Sequence, residues 1–119
     1  MRRVIMIDDD TSILEIFQLV FERAGYSITV FDSPDLILDN RFDEPDIFII
    51  DKQLNGTDGG DLCRYLKQRK MRGDTPVILF SANPQINQHA LNAGADGFLE
   101  KPFKNKELLS MVDKLLAAH

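Results

Sequence analysis

Three consecutive aspartates, Asp8, Asp9 and Asp10, directly follow the apolar run 4–7. Like charges ~4 Å apart repel by about 1 kcal/mol even in water, so a carboxylate cluster at a strand end needs a cation nearby. Carboxylate oxygens are the hard ligands that Mg²⁺ prefers in proteins. We therefore interpret Asp8 and Asp9 as one wall of a divalent-metal pocket, and we assign Asp10 to capping the helix that follows.

Three further reactive side chains, Asp51, Ser81 and Lys101, each come at or just after the end of a later apolar run. A carboxylate can act as a nucleophile and form an aspartyl-phosphate. A serine hydroxyl and a lysine ammonium can bind phosphoryl oxygens as charge develops on them, and a bound Mg²⁺ would orient the incoming group. These residue types together predict phosphoryl transfer to a carboxylate.

The order of apolar and amphipathic segments predicts the elements that must position these side chains. Short runs rich in β-branched and aromatic residues predict strands at 4–7, 28–31, 47–50, 77–80 and 97–99. Amphipathic patterns predict helices from 12 to 25, from 33 for a short stretch, from about 59 to 70, from 83 to 94 and from about 105 to 117. A capping box at Ser12 and Glu15 should start the first helix, and Ile16 and Leu91 should face inward.

Strict alternation of strands and helices predicts an α/β fold with a parallel sheet and helices on both faces. One fold of this kind is a flavodoxin-like, doubly wound, five-stranded parallel sheet with strand order 2-1-3-4-5 and five helices. Ligands of such sheets bind beyond the carboxyl ends of the strands, at the switch point in strand order. If the strand order is the flavodoxin-like one, the first and third strands are neighbours there, and Asp8, Asp9 and Asp51 converge on one crevice.

Length and composition limit the possible functions. The 119 residues suffice for one domain and are too few for two, so we expect a single domain over 1–119. A net charge of −5 argues against nonspecific binding to nucleic acid or anionic membranes. The single cysteine, Cys63, suits a cytoplasmic location and should be a buried, inert thiol. His89 and His119 lack partners at metal-binding spacing and should lie at the surface.

Six short motifs occur in a set order along the chain: Ile7-Asp8-Asp9-Asp10, Ile49-Ile50-Asp51, Asp58-Gly59, Phe80-Ser81-Ala82, Gly94-Ala95-Asp96-Gly97 and Lys101-Pro102-Phe103. Together they resemble the receiver domain of two-component response regulators, of the chemotaxis-regulator kind, over essentially the whole chain. Each motif alone has little specificity, whereas the six in this order and spacing are highly specific.

The resemblance implies a phosphorelay chemistry that depends on Mg²⁺, for which Mn²⁺ can substitute. Asp51 would accept a phosphoryl group from a phosphohistidine on a sensor histidine kinase or a phosphotransfer protein. Asp9, Asp51 and the backbone carbonyl of Gln53 would ligate the metal directly, and Asp8 would act through a bound water.

The resemblance also implies how the phosphoryl group is held and how its arrival is signalled. Ser81, the amide of Ala82 and Lys101 would bind the phosphoryl oxygens, and the bond before Pro102 should be cis. Ser81 and Phe98 would form the switch that alters the surface of the fourth helix, fifth strand and fifth helix for a downstream partner. One departure from the family is Asn55, which stands where proline is usual and predicts a more mobile loop.

Two alternatives belong to other functional classes. The first is a non-phosphorylated scaffold or interaction module, whose usual sign is the loss of a pocket residue; here all of them are present. The second is an enzyme that turns over external substrates through an aspartyl-phosphate, but Gln53 occupies the position where such enzymes carry a second aspartate. The sequence leaves open whether the chain is a stand-alone regulator or the receiver of a longer regulator or hybrid kinase.

Overall fold

A parallel β-sheet forms the centre of the computed structural model, which describes residues 1–69 and 74–118. The strands in chain order are β1 (Arg3–Ile7), β2 (Ser27–Phe31), β3 (Ile47–Asp51), β4 (Gln53–Leu54), β5 (Thr57–Asp58), β6 (Val77–Ser81) and β7 (Gly97–Glu100). The helices are α1 (Thr11–Arg23), α2 (Asp35–Leu38), α3 (Gly59–Lys67), α4 (Ile86–Ala93) and α5 (Asn105–Ala117).

The sheet order confirms the predicted flavodoxin-like topology. Five strands pair in parallel in the order β2-β1-β3-β6-β7. The two short strands β4 and β5 pair only with each other, as an antiparallel hairpin between β3 and α3. Counted without that hairpin, the order is the expected 2-1-3-4-5, and it makes β1 and β3 direct neighbours at the switch point.

Alternate residues of the central strands point into two separate cores. Ile7 and Ile50 lie in the core beneath α2, α3 and α4, whereas Met6 and Ile49 lie in the core beneath α1 and α5. Because side chains alternate along a strand, the residues that follow Ile7 and Ile50 return to the α1 and α5 side. This alternation directs the side chain of Asp51 toward the α1 and α5 side of the sheet. It also directs the side chain of Asp8, the first residue after β1, toward that side.

The start of α1 differs from the predicted capping box. Asp10 is the N-cap, and its side chain accepts hydrogen bonds from the backbone N–H groups of Ser12 and Ile13 at 3.0 and 3.4 Å. The backbone of Asp10 is extended, so the helix can begin as soon as the chain leaves the sheet. The separate prediction that Asp10 is a helix cap is thereby confirmed.

Two other helices begin later than their serine and asparagine signals predict. The side chains of Ser33 and Asn83 accept hydrogen bonds from the N–H groups of Asp35 and Gln85, at 3.1 and 2.9 Å. Such side-chain-to-backbone bonds form turns in place of a first helical turn. The helices α2 and α4 therefore begin at Asp35 and Ile86. The predicted end of α3 at 70 lies outside the described residues.

Several burial predictions need revision and one is confirmed. Ile16 and Leu91, expected to face inward, are 54% and 74% exposed. In α4 the buried residues are Ile86, Ala90 and Ala93, a spacing that turns Leu91 toward solvent. His89 is partly buried and its Nδ1 atom is shielded, while His119 lies outside the described residues. Cys63 is buried, and burial raises the pKa of its thiol to about 11, as expected of an inert cysteine.

The beginning of α3 packs directly on the backbone of β3. The N–H of Gly59 donates to the carbonyl oxygen of Lys52 at 2.7 Å. A Cβ atom on Gly59 would overlap the carbonyl oxygen of Asp51 and the backbone of Lys52. Glycine is therefore required for the helix to start this close to the end of the strand.

We expect Gly59→Ala to lower the free energy of unfolding by more than about 2 kcal/mol, because the atoms it would meet are backbone and cannot rotate away. Urea denaturation measures the change. The matched control is Gly60→Ala, whose Cβ would meet the end of the Asp58 side chain at 3.0 Å. That contact is longer than those at Gly59 and involves a side-chain atom instead of backbone, and alanine favours a helix by about 0.5–1 kcal/mol over glycine, so the control should lose much less stability than Gly59→Ala. Equal losses in the two variants would contradict the close-packing explanation.

Candidate functional site

Three aspartate side chains meet at the carboxyl ends of β1 and β3. Asp8, Asp9 and Asp51 each offer a carboxylate oxygen, and these oxygens all lie within 4.8 Å of one another. The neighbouring positions of β1 and β3 and the alternation of side chains bring them together. The cluster is therefore the acidic pocket that the strand-end aspartates predict, and its oxygen ligands suit a hard divalent cation.

Asp8 is the most deeply buried member of the cluster. Its side chain is fully buried, and its Oδ1 atom accepts a hydrogen bond from the N–H of Asp10 at 2.9 Å. Its Oδ2 atom is buried and accepts no hydrogen bond from the described residues. Burial raises the pKa of Asp8 to about 6, and the nearby Asp51 adds to the effect, while the Asp10 N–H and Lys101 oppose it.

An unsatisfied buried carboxylate oxygen is costly, and each such group in a folded protein requires an explanation. A divalent cation, or a water bound to one, would satisfy the Oδ2 atom of Asp8. The cation would also offset the repulsion among the three carboxylates. The orphaned oxygen and the all-oxygen ligand set therefore both fit Mg²⁺ at this pocket.

Lys101 brings a positive charge to the edge of the pocket. Its Nζ atom lies 3.6 Å from Oδ2 of Asp51 and 3.9 Å from Oδ2 of Asp8. The loop between β7 and α5 carries it there: the N–H of Lys101 donates to the carbonyl oxygen of Ser81 at 2.7 Å, and the following bond to Pro102 is cis, as expected. The ammonium group is thus close enough to interact with an oxygen of the Asp51 carboxylate or of a group bound to it.

The ring of Phe80 contacts the ammonium group of Lys101, a role for Phe80 that was not predicted from the sequence. The Nζ atom of Lys101 lies 4.7 Å from the centre of the Phe80 ring, close enough for a cation–π interaction. Phe80 meets Phe103 edge to face, and Phe103 stacks on Phe17 of α1. An aromatic immediately before Ser81 is the one sequence signal that could have indicated this support.

Ser81 ends β6, the strand beside Asp51. The register pairs Asp51 with Phe80, so Ser81 is one residue beyond Asp51 on the adjacent strand. Ser81 is fully buried, and its Oγ atom accepts a hydrogen bond from the N–H of Asn83 at 3.0 Å. Ala82 is exposed and lines an open, largely apolar cavity of about 430 Å³ with Lys101 and Pro102 among its walls.

The hairpin of β4 and β5 contributes two backbone donors to the pocket. The N–H of Gln53 donates to Oδ1 of Asp51, and the N–H of Asn55 donates to Oδ2 of Asp9, both at 3.1 Å. The family resemblance implies a metal-ligating carbonyl at Gln53 and no role in the site for Asn55. The Asn55-Gly56 pair, a strong signal for a tight hairpin, could have suggested that this segment folds back on the pocket.

Phe98 lies apart from the acidic pocket. It pairs across the sheet with Leu79, and its side chain is 42% exposed. It lines a second cavity of about 330 Å³ together with Leu91 and Met111, between α4, β7 and α5. The structure therefore brings together Asp8, Asp9, Asp51 and Lys101, with Ser81 and Gln53 adjacent, and it leaves Phe98 on an outer surface.

A doubly wound α/β fold with a carboxylate pocket at its switch point defines the structural class. Within that class, the chain belongs to the response regulator receiver domain family, whose model matches residues 4–113. It is 29% identical to the alkaline phosphatase synthesis transcriptional regulatory protein PhoP of Bacillus subtilis and 30% identical to the response regulator SaeR of Staphylococcus aureus, each over 118 residues.

The solved structures agree with this assignment. The Francisella response regulator 1452 receiver domain is 32% identical, with a TM-score of 0.86 over 99% of this chain and 98% of that one. The alignments cover 97% of this chain with PhoP and 98% with SaeR, but 48% and 51% of those proteins, so the chain spans about half the length of the curated relatives it matches.

Among the described residues, none of the helices has the length and apolar character needed to span a membrane.

The raised pKa of Asp8 predicts a specific pH dependence of stability in metal-free buffer. The folded state holds the Asp8 proton up to about pH 6, whereas the unfolded chain loses it near 3.8. Asp8 therefore destabilises the fold progressively as pH rises through this window and causes no loss at lower pH. We expect Asp8→Asn to be more stable than wild type at pH 7.5 by up to about 3 kcal/mol, and to lose that advantage near pH 4.

Urea denaturation at the two pH values, with a chelator present, measures this difference. Asp9→Asn is the matched control, because it removes one charge from the same cluster at a position that is only partly buried. Its gain should be smaller. A constant difference between Asp8→Asn and wild type at both pH values would contradict the buried-carboxylate account.

Proposed function

We propose that the chain is a phosphorylation-controlled signalling switch. Asp51 accepts a phosphoryl group from a phosphohistidine on a sensor histidine kinase or a phosphotransfer protein. The observation that carries the proposal is the position of Asp51, which lies inside an acidic cluster and 3.6 Å from the ammonium of Lys101. A carboxylate beside both a cation site and an ammonium group is suited to attack phosphorus and to stabilise the product.

The acidic cluster is the proposed metal site. Asp9, Asp51 and the backbone carbonyl of Gln53 would hold Mg²⁺ directly, and Asp8 would hold it through a water; Mn²⁺ could replace it. When bound, the ion lowers the charge of the pocket and orients the phosphoryl oxygens. The unsatisfied Oδ2 atom of Asp8 supports this assignment, since it is a buried acceptor without a donor among the described residues.

The transfer step needs no general base. An oxygen of the ionised Asp51 carboxylate forms a bond to phosphorus as the phosphorus–nitrogen bond of the phosphohistidine breaks. The bonding electron pair stays on the imidazole nitrogen, which takes up a proton from water as it leaves. Ser81, the amide of Ala82 and Lys101 bind the phosphoryl oxygens. The buried hydroxyl of Ser81, next to Asp51 on the adjacent strand, supports its part in this set.

The proposed output is a change in the surface of α4, β7 and α5. Movement of Ser81 toward the phosphoryl group frees space into which Phe98 turns, and a downstream protein or a linked output domain reads the result. The exposed position of Phe98 supports this proposal, because the switch requires an outward ring before phosphorylation. We further propose that the receiver is a single cytoplasmic domain over 1–119 that does not bind nucleic acid or membranes itself.

We propose no turnover of external substrates. Gln53 lies two residues after Asp51, and its amide cannot donate or accept a proton as a second aspartate could. The chemistry is then limited to phosphorylation of Asp51 and loss of that group to water.

The decisive test is incubation with acetyl phosphate and Mg²⁺, followed by intact-mass spectrometry. Wild type should gain one phosphoryl group that survives acid and is lost in base. Asp51→Asn should gain none, because an amide oxygen is not a competent nucleophile. Asp39→Asn is a matched control at an exposed aspartate outside the pocket and should react as wild type does. No gain by wild type, with this donor or with any cognate kinase, would overturn the proposal.

A further inference from the structure

The segment after β3 folds into a tight hairpin over the acidic pocket. Gln53 pairs with Asp58 and Leu54 with Thr57, and Asn55 and Gly56 form the turn. Gly56 has a φ of +74°, which glycine adopts without strain. Leu54 is buried, so one side of the hairpin is anchored in the core beneath it. The turn therefore has a defined position relative to the pocket.

The foot of the hairpin is held by contacts that do not involve the acidic cluster. The Nζ atom of Lys52 lies 2.7 Å from Oδ2 of Asp58, and the N–H of Gly59 donates to the carbonyl oxygen of Lys52 at 2.7 Å. The Oδ1 atom of Asp58 accepts a hydrogen bond from the N–H of Gly60, also at 2.7 Å. Besides the bond from the N–H of Gln53 to Asp51, the position of the turn is therefore set by contacts other than its bond to Asp9.

From this position the turn contacts one carboxylate of the cluster. The N–H of Asn55 donates to Oδ2 of Asp9 at 3.1 Å, and it is the single hydrogen bond to that carboxylate within the described part of the chain. Asp9 is only partly buried, so packing alone leaves its side chain freer than that of Asp8. A hydrogen bond to one oxygen orients a carboxylate and leaves the other oxygen available to a metal.

We propose that the backbone N–H of Asn55 is a positioning donor that holds Asp9 in its metal-binding orientation. The inference rests on the proposed Mg²⁺ site and adds to it a residue outside the expected ligand set. The contact to Asp9 is made by the backbone N–H of Asn55 and not by the asparagine side chain. A proline at this position has no N–H and cannot make the contact, so this chain holds Asp9 in a way that a proline-containing loop cannot.

Two substitutions separate the N–H from the side chain. Asn55→Pro removes the donor. Proline requires a negative φ, and φ of Asn55 is negative, because Asn40 is the single non-glycine residue of positive φ among those described. Asn55→Ala keeps the donor and removes the side-chain amide. Loss of an outer contact to a metal ligand typically weakens metal binding by about 10-fold or more. We expect that loss for Asn55→Pro and an affinity equal to wild type for Asn55→Ala.

Isothermal titration calorimetry with MgCl₂, on unphosphorylated protein, measures the affinities. Equal affinity of wild type and Asn55→Pro, or equal weakening by both substitutions, would overturn the positioning role while leaving the metal site intact. Absence of Mg²⁺ binding by wild type would overturn the proposed metal site, and the positioning role with it. Thermal denaturation without metal verifies that both variants remain folded.

A second measurement needs neither metal nor a substitution in the hairpin. In the NMR spectrum of the metal-free protein, the Asn55 amide proton should resonate downfield, as amides bonded to carboxylates do. Asp9→Asn should move that resonance upfield, because the charged acceptor is lost. Asp10→Asn, which alters a neighbouring aspartate whose side chain accepts hydrogen bonds from the start of α1, should leave it in place. An unmoved Asn55 resonance in Asp9→Asn would contradict the proposal.

Discussion

The mutual repulsion of three carboxylates, held together by the sheet, is the constraint on which the rest of the site depends. Asp8, Asp9 and Asp51 converge because β1 and β3 are adjacent and parallel, not because the side chains attract one another. Several other polar groups at the pocket reduce this repulsion in part. Backbone N–H groups donate to each of the three carboxylates, and the ammonium of Lys101 approaches two of them. One buried oxygen of Asp8 still has no donor within the described chain, and the pocket therefore favours a cation.

Rigid elements of the fold hold the three mutually repelling carboxylates in place. Asp51 lies at the end of a fully buried strand, and the close contact at Gly59 holds α3 against the backbone of that same residue. Lys101 is carried by a loop whose backbone bonds to Ser81, and its ammonium lies over the buried ring of Phe80. Charged groups that are held in place need little rearrangement when a phosphoryl group arrives, and such preorganisation is the main source of electrostatic stabilisation at sites of this kind.

The sequence was sufficient to predict a parallel sheet with three aspartates at one edge, because buried strands read as continuous apolar runs and parallel strands end at the same edge. The strand order followed from the resemblance to the receiver family and not from those runs. It was less informative where several signals compete. Ser12 and Glu15 have the spacing of a capping box, but Asp10 comes first and caps the helix. The spacing of Ile86, Ala90 and Ala93 in the folded helix exposes Leu91. The donor at Asn55 could not be predicted, because a backbone N–H belongs to every non-proline residue and only the path of the hairpin directs this one at Asp9.

The central claim is that the carboxylate cluster is a metal site that prepares Asp51 to receive a phosphoryl group. A crystal structure of the protein with Mg²⁺ and beryllofluoride, a stable stand-in for a phosphoryl group, tests this claim most directly. The account predicts beryllium bonded to a carboxylate oxygen of Asp51, Lys101 bound to fluorine, and a metal ion contacting Asp9 and Asp51. An unmodified Asp51 still paired with Lys101, or a metal bound away from these aspartates, would contradict it.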